Sequence, residues 1–230
     1  MPDIPVLIPI QNGAVMSNDH LKLYESSGSP NSRRVRIFIA EKGICVSRVP
    51  VDLGAKEQFS EAYVKINPRQ VVPTLVLEDG TAIGEVPAIL RYLEEAYPGT
   101  PLLGTSPADK ALVTMWECRM ELEGFAAVME TIRNKVPGLK GRAIVGTHGY
   151  EQIPGIVERG YQRIADFHAD LETRLGEAPF VAGDRFSAAD ITAVVAIDFA
   201  AKALALPIPD GNGATRRWCD KVAGRPSFAA

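Results

Sequence analysis

"VVPTLVLEDGTAI", residues 71–83, sets two short apolar runs on either side of Asp79-Gly80. An Asp-Gly pair in that setting favours a tight β-hairpin turn, so the stretch predicts two neighbouring antiparallel strands with Pro73 at their entrance. Upstream, "LKLYE" (21–25) reads as a short strand. Val35, Phe38 and Ile39 then recur at helical spacing, and Lys42-Gly43 supplies a basic last turn and a glycine stop. "ICVSRVPVDL" (44–53) reads as a second strand, placed at a sheet edge because Pro50 cannot donate to a ladder. Downstream, "EVPAILRYLEEAYP" (85–98) is a helix closed by Pro98. The order is βαβ, a helical or irregular link at 55–65, then ββα.

After Pro107 the pattern changes to helix throughout. Leu112, Met115, Trp116, Met120, Phe125, Val128, Met129 and Ile132 form a broad apolar stripe at 3.6 spacing, which predicts one long helix over 107–135. Residues 151–175 supply a partner, and 187–204, almost wholly apolar, a central helix. Its start is explicit in "FSAADI" (186–191): Ser187 as N-cap, Asp190 at the third helical position, and Phe186 facing Ile191 as a hydrophobic staple. The expected division is an N-terminal extension at 1–20, a mixed α/β domain at 21–98, a linker at 99–106 and an all-helical domain at 107–230. "IPVLIPI" in the extension is expected to pack its apolar side chains on the protein's own surface.

Composition excludes several classes. With 46 % hydrophobic and 23 % charged residues and a net charge of −3, the chain has ordinary soluble values. Its arginines and lysines are dispersed, so a nucleic-acid partner is not expected. "IPVLIPI" is far shorter than the roughly 20 residues of a spanning helix and lacks a basic flank, which argues against a membrane span and a secretory signal. Three widely spaced cysteines, with no CxxC, suggest reduced thiols in a cytoplasm, and the three scattered histidines give no metal-ligand spacing.

The βαβ, link, ββα order with a proline at the hairpin entrance in "VVPTL" resembles the thioredoxin fold, and the helical half that follows narrows this further. Taken together, "SPNSRRVRIFIAEKG" (29–43), "NPRQVVPTL" (67–75) and "ADITAVVAIDFA" (189–200) resemble the cytosolic glutathione transferases, over residues 21–230. The resemblance implies a thioredoxin-like domain followed by an all-α domain, glutathione as co-substrate, no metal, and a homodimer. It implies attack of the glutathione thiolate on a small-molecule electrophile, or reduction of a peroxide or disulfide. A catalytically silent binding or scaffold module on the same fold is the alternative.

Such an enzyme must hold a thiol of pKa near about 8.5 as thiolate at neutral pH, and lowering it by roughly two units takes about 2.7 kcal/mol. A helix N-terminus with one or two short donors can supply that. Ser29 stands there, as N-cap or as thiolate donor; the resemblance makes it the catalytic hydroxyl and Asn31 a second donor of a serine/asparagine-type bacterial member. Ser26 and Ser27 are reserve candidates, and Tyr24 is expected in the core. The resemblance further implies that Val72 pairs its backbone with the cysteinyl part of glutathione, that Pro73 is cis, and that Glu85 receives the γ-glutamyl amine. Two positions depart from the family: Val86 stands where a hydroxyl usually meets the γ-glutamyl carboxylate, leaving only its N–H, and Val71 where a Lys or Arg is common. Gln58, Gln70 and Lys56 are candidates for the glycyl carboxylate. Arg119, Met120, Glu123 and Phe125 are candidate liners of the electrophile side. Glu117 and Glu121 read as a solvated face, and Cys118 and Cys45 as buried, inert thiols.

Overall fold

The computed structural model describes residues 20–230. The extension expected at 1–20, and the packing expected of "IPVLIPI", lie outside the described residues except for His20.

β1 (Lys22–Glu25), α1 (Pro30–Lys42), β2 (Ser47–Pro50), α2 (Glu61–Ile66), β3 (Thr74–Val76), β4 (Ala82–Ile83) and α3 (Val86–Ala96) follow the expected order. The strands form one mixed sheet, ordered β2-β1-β3-β4. β1 runs parallel to β2 and antiparallel to β3, and β3 runs antiparallel to β4 with Leu75 opposite Ile83. The hairpin at Asp79-Gly80 is present, with Gly80 at φ 85°, and β2 lies at the edge, where Pro50 costs no ladder bond. β2 is shorter than the ten-residue run suggested, because only four residues find a partner. Gly43 ends α1 at φ 64°, its N–H donating to Ala40 and that of Ile44 to Ile39.

The helical half comprises α4 (Pro107–Arg119), α5 (Ala126–Lys135), α6 (Pro154–Glu177), α7 (Ala188–Leu204) and α8 (Gly213–Ala223). The helix expected over 107–135 is interrupted by a wide π turn at Met120–Phe125. A Cβ on Gly124 in that turn would lie 2.6 Å from the Phe167 ring of α6, and one on Gly160 would lie 1.9 Å from the Thr131 hydroxyl of α5, so both glycines permit the close approach of α6. The apolar stripe does not all face inward. Met120, Phe125, Val128 and Ile132 are buried, but Leu112 and Met115 are 50 % and 46 % exposed.

α7 is the central helix, and its entry is pinned by Asp190, which is fully buried. A capping box joins it to Ser187. Asp190 Oδ2 accepts from the Ser187 N–H at 2.9 Å, and Oδ1 accepts from the Val181 N–H and Trp218 Nε1, both at 2.9 Å. One carboxylate thus ties the α6–α7 loop, α7 and α8 together. α1 packs on α7 and carries the Arg33–Asp198 ion pair at 2.5 Å. Arg225 and Ser227 of the C-terminal tail donate to Glu41 of α1, Arg225 at 2.6 and 2.7 Å.

Several sequence expectations are corrected. Cys118 and Cys45 are exposed thiols rather than buried ones. Cys45 precedes β2, and Cys118 lies on the outer side of α4. Tyr24 is half-buried, packed beside Val51, Tyr63 and Val72. Glu117 and Glu121 are not a solvated face: both carboxylates turn toward Arg34 of α1, which is 1 % exposed.

Candidate active site

A cavity of about 770 Å³ opens between the sheet half and the helical half. Its sheet-side wall carries Ser29, Asn31, Gln58, Gln70, Val72, Pro73, Glu85 and Val86, so all eight candidate site residues line one space. Lys56 and Val71 line it too, whereas Ser26 and Ser27 do not.

The start of α1 forms one corner. Ser29 is its N-cap: the side-chain oxygen accepts from the Ser32 N–H at 3.3 Å. That bond uses a lone pair and leaves the hydroxyl proton available to a ligand. Asn31 Oδ1 accepts from Arg34 Nη1 at 3.2 Å, which fixes the orientation of the amide and leaves Nδ2 with its two protons as the donor end. Behind Asn31, Arg34 Nη1 lies 2.5 Å from Glu121 Oε2 and Nη2 lies 3.7 Å from Glu117 Oε1. These are charge contacts rather than aligned hydrogen bonds, since both glutamate oxygens lack a hydrogen-bond partner among the described residues. Burial holds the Glu117 carboxyl above the usual carboxylate range, with Glu121 adding to that push and Arg34 opposing it. The guanidinium also lies 4.9 Å over the Phe125 ring.

The loop before β3 forms the second corner. The Val72–Pro73 bond is cis. The Val71 carbonyl accepts from Tyr63 Oη at 2.6 Å and Asn67 Nδ2 at 3.0 Å, and Asn67 Nδ2 also donates to Thr74 Oγ1 at 2.8 Å. Burial raises the Tyr63 hydroxyl above its ordinary range, so it remains a donor. With Val71 tied inward, the N–H and C=O of Val72 have no protein partner among the described residues. An extended peptide laid beside Val72 would pair with both.

The start of α3 is the third corner. The Glu85 carbonyl accepts from the Ala88 and Ile89 N–H groups, both at 3.1 Å, whereas the Val86 N–H has no protein acceptor among the described residues. The Glu85 carboxylate is exposed and pairs with Arg69 at 3.1 Å. Gln58 is buried, and its Oε1 has no hydrogen-bond partner among the described residues. Lys56, Gln70 and Glu85 take φ of 60°, 61° and 61°; Ala205 is the other non-glycine residue with positive φ among the described residues. Such backbone is costly without glycine and gathers at ligand sites. No feature of the sequence marks these three as left-handed.

The opposite wall is built from the π turn, α5 and the loop that follows. Of the four liners expected there, only Phe125 faces the cavity. Met120 is buried in the core, and Arg119 pairs with Glu123 at 3.3 Å away from it. Met129, Ile132, Arg133, Leu139, Arg142 and Phe199 line the wall and were not anticipated. The 136–153 loop has no periodicity for a sequence argument to use. No group of His, Cys, Asp or Glu among the described residues could hold a metal, and no helix among them is long and apolar enough to cross a membrane.

Two family models match the chain: "Glutathione S-transferase, N-terminal domain" over residues 23–101 and "Glutathione S-transferase, C-terminal domain" over 154–221. The chain is 33 % identical over 221 residues to glutathione S-transferase 2 of Saccharomyces cerevisiae, covering 95 % of this chain and 92 % of that protein. It is 29 % identical over 214 residues to a maleylacetoacetate isomerase of Pseudomonas aeruginosa, covering 90 % and 93 %. Among solved structures, a glutathione S-transferase domain-containing protein of Marinobacter aquaeolei superposes with a TM-score of 0.83 at 35 % identity, covering 90 % of this chain and 99 % of that one.

Proposed function

Because the chain belongs to the glutathione S-transferase family, a glutathione-dependent enzyme family with a thioredoxin-like and a helical domain, we propose that it is a serine/asparagine-type member. In this reading Ser29 and Asn31 hold the glutathione thiolate for attack on an electrophilic small molecule. The observation that carries it is the meeting in one cavity of the α1 N-terminus, with its Ser29 and Asn31 donors, and the unpaired backbone of Val72.

Glutathione lies extended along Val72, which accepts and donates one backbone bond as an added strand would. Its cysteinyl sulfur then faces the first turn of α1. There the Ser29 hydroxyl, the Asn31 amide and the positive end of the helix dipole lower the thiol pKa by favouring the anion. The γ-glutamyl group reaches α3, with its amine on Glu85 and its carboxylate on the Val86 N–H. The glycyl carboxylate takes Gln58, Gln70 or Lys56, which together replace the cation missing at Val71. The electrophile enters from the α5 side, and its reaction is attack by sulfur at an activated carbon, or reduction of a peroxide or disulfide.

Val86 weakens this site. A hydroxyl donor to a carboxylate is worth about 1.5 to 3 kcal/mol, roughly ten- to a hundredfold in affinity. Val86→Ser is expected to tighten glutathione binding by at least about tenfold in calorimetry. Because Val86 is packed in the core, the same change should cost about 1 to 2 kcal/mol of stability. Wild type that neither binds glutathione nor conjugates it to a chlorodinitrobenzene would refute the reading. Wild type that already binds at low micromolar levels with no gain from Ser would show that another donor has taken the carboxylate.

We also propose a homodimer and a cytoplasmic location. Leu112 and Met115 of α4 and Leu122 of the π turn are exposed apolar side chains, the kind of surface a second copy covers. Sedimentation at micromolar concentration should give twice the 24.8 kDa chain mass, and a monomer would overturn this.

A further inference from the structure

We infer that the electrophile end of the cavity takes a carboxylate-bearing substrate with an apolar or aromatic body, its carboxylate held by Arg133 and Arg142. This rests on the reading of the cavity as a glutathione transferase site and deepens it.

The charges around the cavity are unequally satisfied. Its three carboxylates are all engaged: Glu85 with Arg69 at 3.1 Å, Glu121 with Arg34 at 2.5 Å and Glu130 with Arg163 at 2.9 Å. Arg133 and Arg142 line the same space, and neither has a carboxylate within 4.0 Å among the described residues. Arg133 Nε is buried with no hydrogen-bond partner among the described residues. A half-buried guanidinium without a counter-charge is costly, and the two arginines present their unpaired charge to the cavity, where an anion that the chain does not itself supply would meet it. Burial and the neighbouring Arg142 both disfavour the charge on Arg133, and the attraction of an anion bound beside them would offset that.

Both arginines sit on tied segments. The Arg133 carbonyl accepts from Gln152 Nε2 at 2.9 Å, and the same amide donates to Val136 at 2.7 Å, closing the loop that carries Arg142. The Arg142 N–H donates to Leu139 at 2.8 Å, and its guanidinium lies 4.9 Å over the Phe59 ring. Ile132, Leu139, Phe125 and Phe199 line the same cavity and give it apolar surface. Guanidinium pairs match a carboxylate bidentately, and apolar walls match the body that carries it. The net charge of the chain is −3, so the cationic character is local to this wall.

A matched pair of electrophiles tests this: 4-chloro-3,5-dinitrobenzoate and 1-chloro-2,6-dinitrobenzene. In both, the thiolate forms a C–S bond as C–Cl breaks and chloride leaves, so only the carboxylate differs. With kcat/KM divided by the uncatalysed rate with glutathione, the benzoate should be favoured by roughly ten- to a hundredfold. Arg133→Gln and Arg142→Gln should each cut that preference by at least about tenfold. Lys140→Gln, an exposed change off the cavity, should leave it alone. A wild type without preference, or a preference that survives both arginine changes, overturns the inference. In parallel, calorimetry of unreactive 3,5-dinitrobenzoate and 1,3-dinitrobenzene reads the site without chemistry. Arginine-dependent binding of the benzoate with no turnover of either chloride would uphold the anion site and refute the transferase reading. Absence of both turnover and arginine-dependent binding would overturn the inference as well.

Discussion

Asp190→Ala is expected to cost about 3 to 5 kcal/mol of stability, a large share of the 5 to 15 that a domain commands. The substitution leaves the Val181 N–H, the Ser187 N–H and Trp218 Nε1 without their acceptor inside the core, and each buried orphan costs about 1 to 3 kcal/mol. Urea denaturation checks the figure, with Asp198→Ala as the contrast. Asp198 lies on the same helix but its carboxylate is a third exposed, so loss of its pair with Arg33 should cost no more than about 1 kcal/mol. Equal losses in the two variants would mean that Asp190 is not the tie between α7, α8 and their loop.

The same residue gives a pH dependence. Burial pushes the Asp190 carboxyl up to about 6, against its backbone and side-chain donors, from an ordinary 3.8. The folded state therefore binds a proton that the unfolded state has released between those values. Its contribution is whole below the unfolded value and falls as pH rises through about 6. The stability gap between wild type and Asp190→Ala should narrow from pH 4 to pH 7, and a gap that widens would contradict the assignment.

What the sequence made legible was local. Asp79-Gly80, Lys42-Gly43 and Ser187 to Asp190 each carry their instruction within a few residues, and each produced its turn, stop or cap. Pro50 placed its strand at the edge for an equally local reason. The misses are of another kind. Glu117 and Glu121, at i and i+4 among other charges, look like solvent-facing residues; they are turned inward by Arg34, 83 and 87 positions earlier in the chain. Cys118 and Met115 lie on a helix with a broad apolar stripe, but the period alone does not say which side of that stripe a neighbour covers. Arg133 and Arg142 belong to a helix end and an irregular loop, and nothing local shows that their charges lack partners. A site built from distant segments is read from the sequence only where a motif names it, which is why the sheet-side wall was anticipated and the opposite wall was not.

Ser29 and Asn31 should separate two roles that meet at one helix start. Ser29→Ala removes both the acceptor for the Ser32 N–H and the hydroxyl proton that would meet sulfur. It should therefore cost about 1 kcal/mol of stability as a lost cap and raise the kinetic pKa of bound glutathione. The rate at neutral pH should fall by roughly tenfold or more while glutathione affinity stays nearly constant, because the hydroxyl acts on the anion more than on the thiol. If Ser29 were a cap and nothing else, the stability loss would appear with the kinetic pKa unmoved. Asn31 admits a sharper change. Asn31→Asp keeps an oxygen for Arg34 Nη1, so the corner retains its shape, but it replaces the Nδ2 donor with a carboxylate oxygen facing the sulfur. A negative charge there disfavours the thiolate instead of holding it, and the loss should reach about 10² to 10³ in rate, the scale of a removed anion-site donor. Asn31→Ala should fall between the two. Thermal unfolding beside pH–rate profiles for the three variants distinguishes these outcomes, and an unmoved kinetic pKa in both Ser29→Ala and Asn31→Asp would remove the α1 corner from the mechanism.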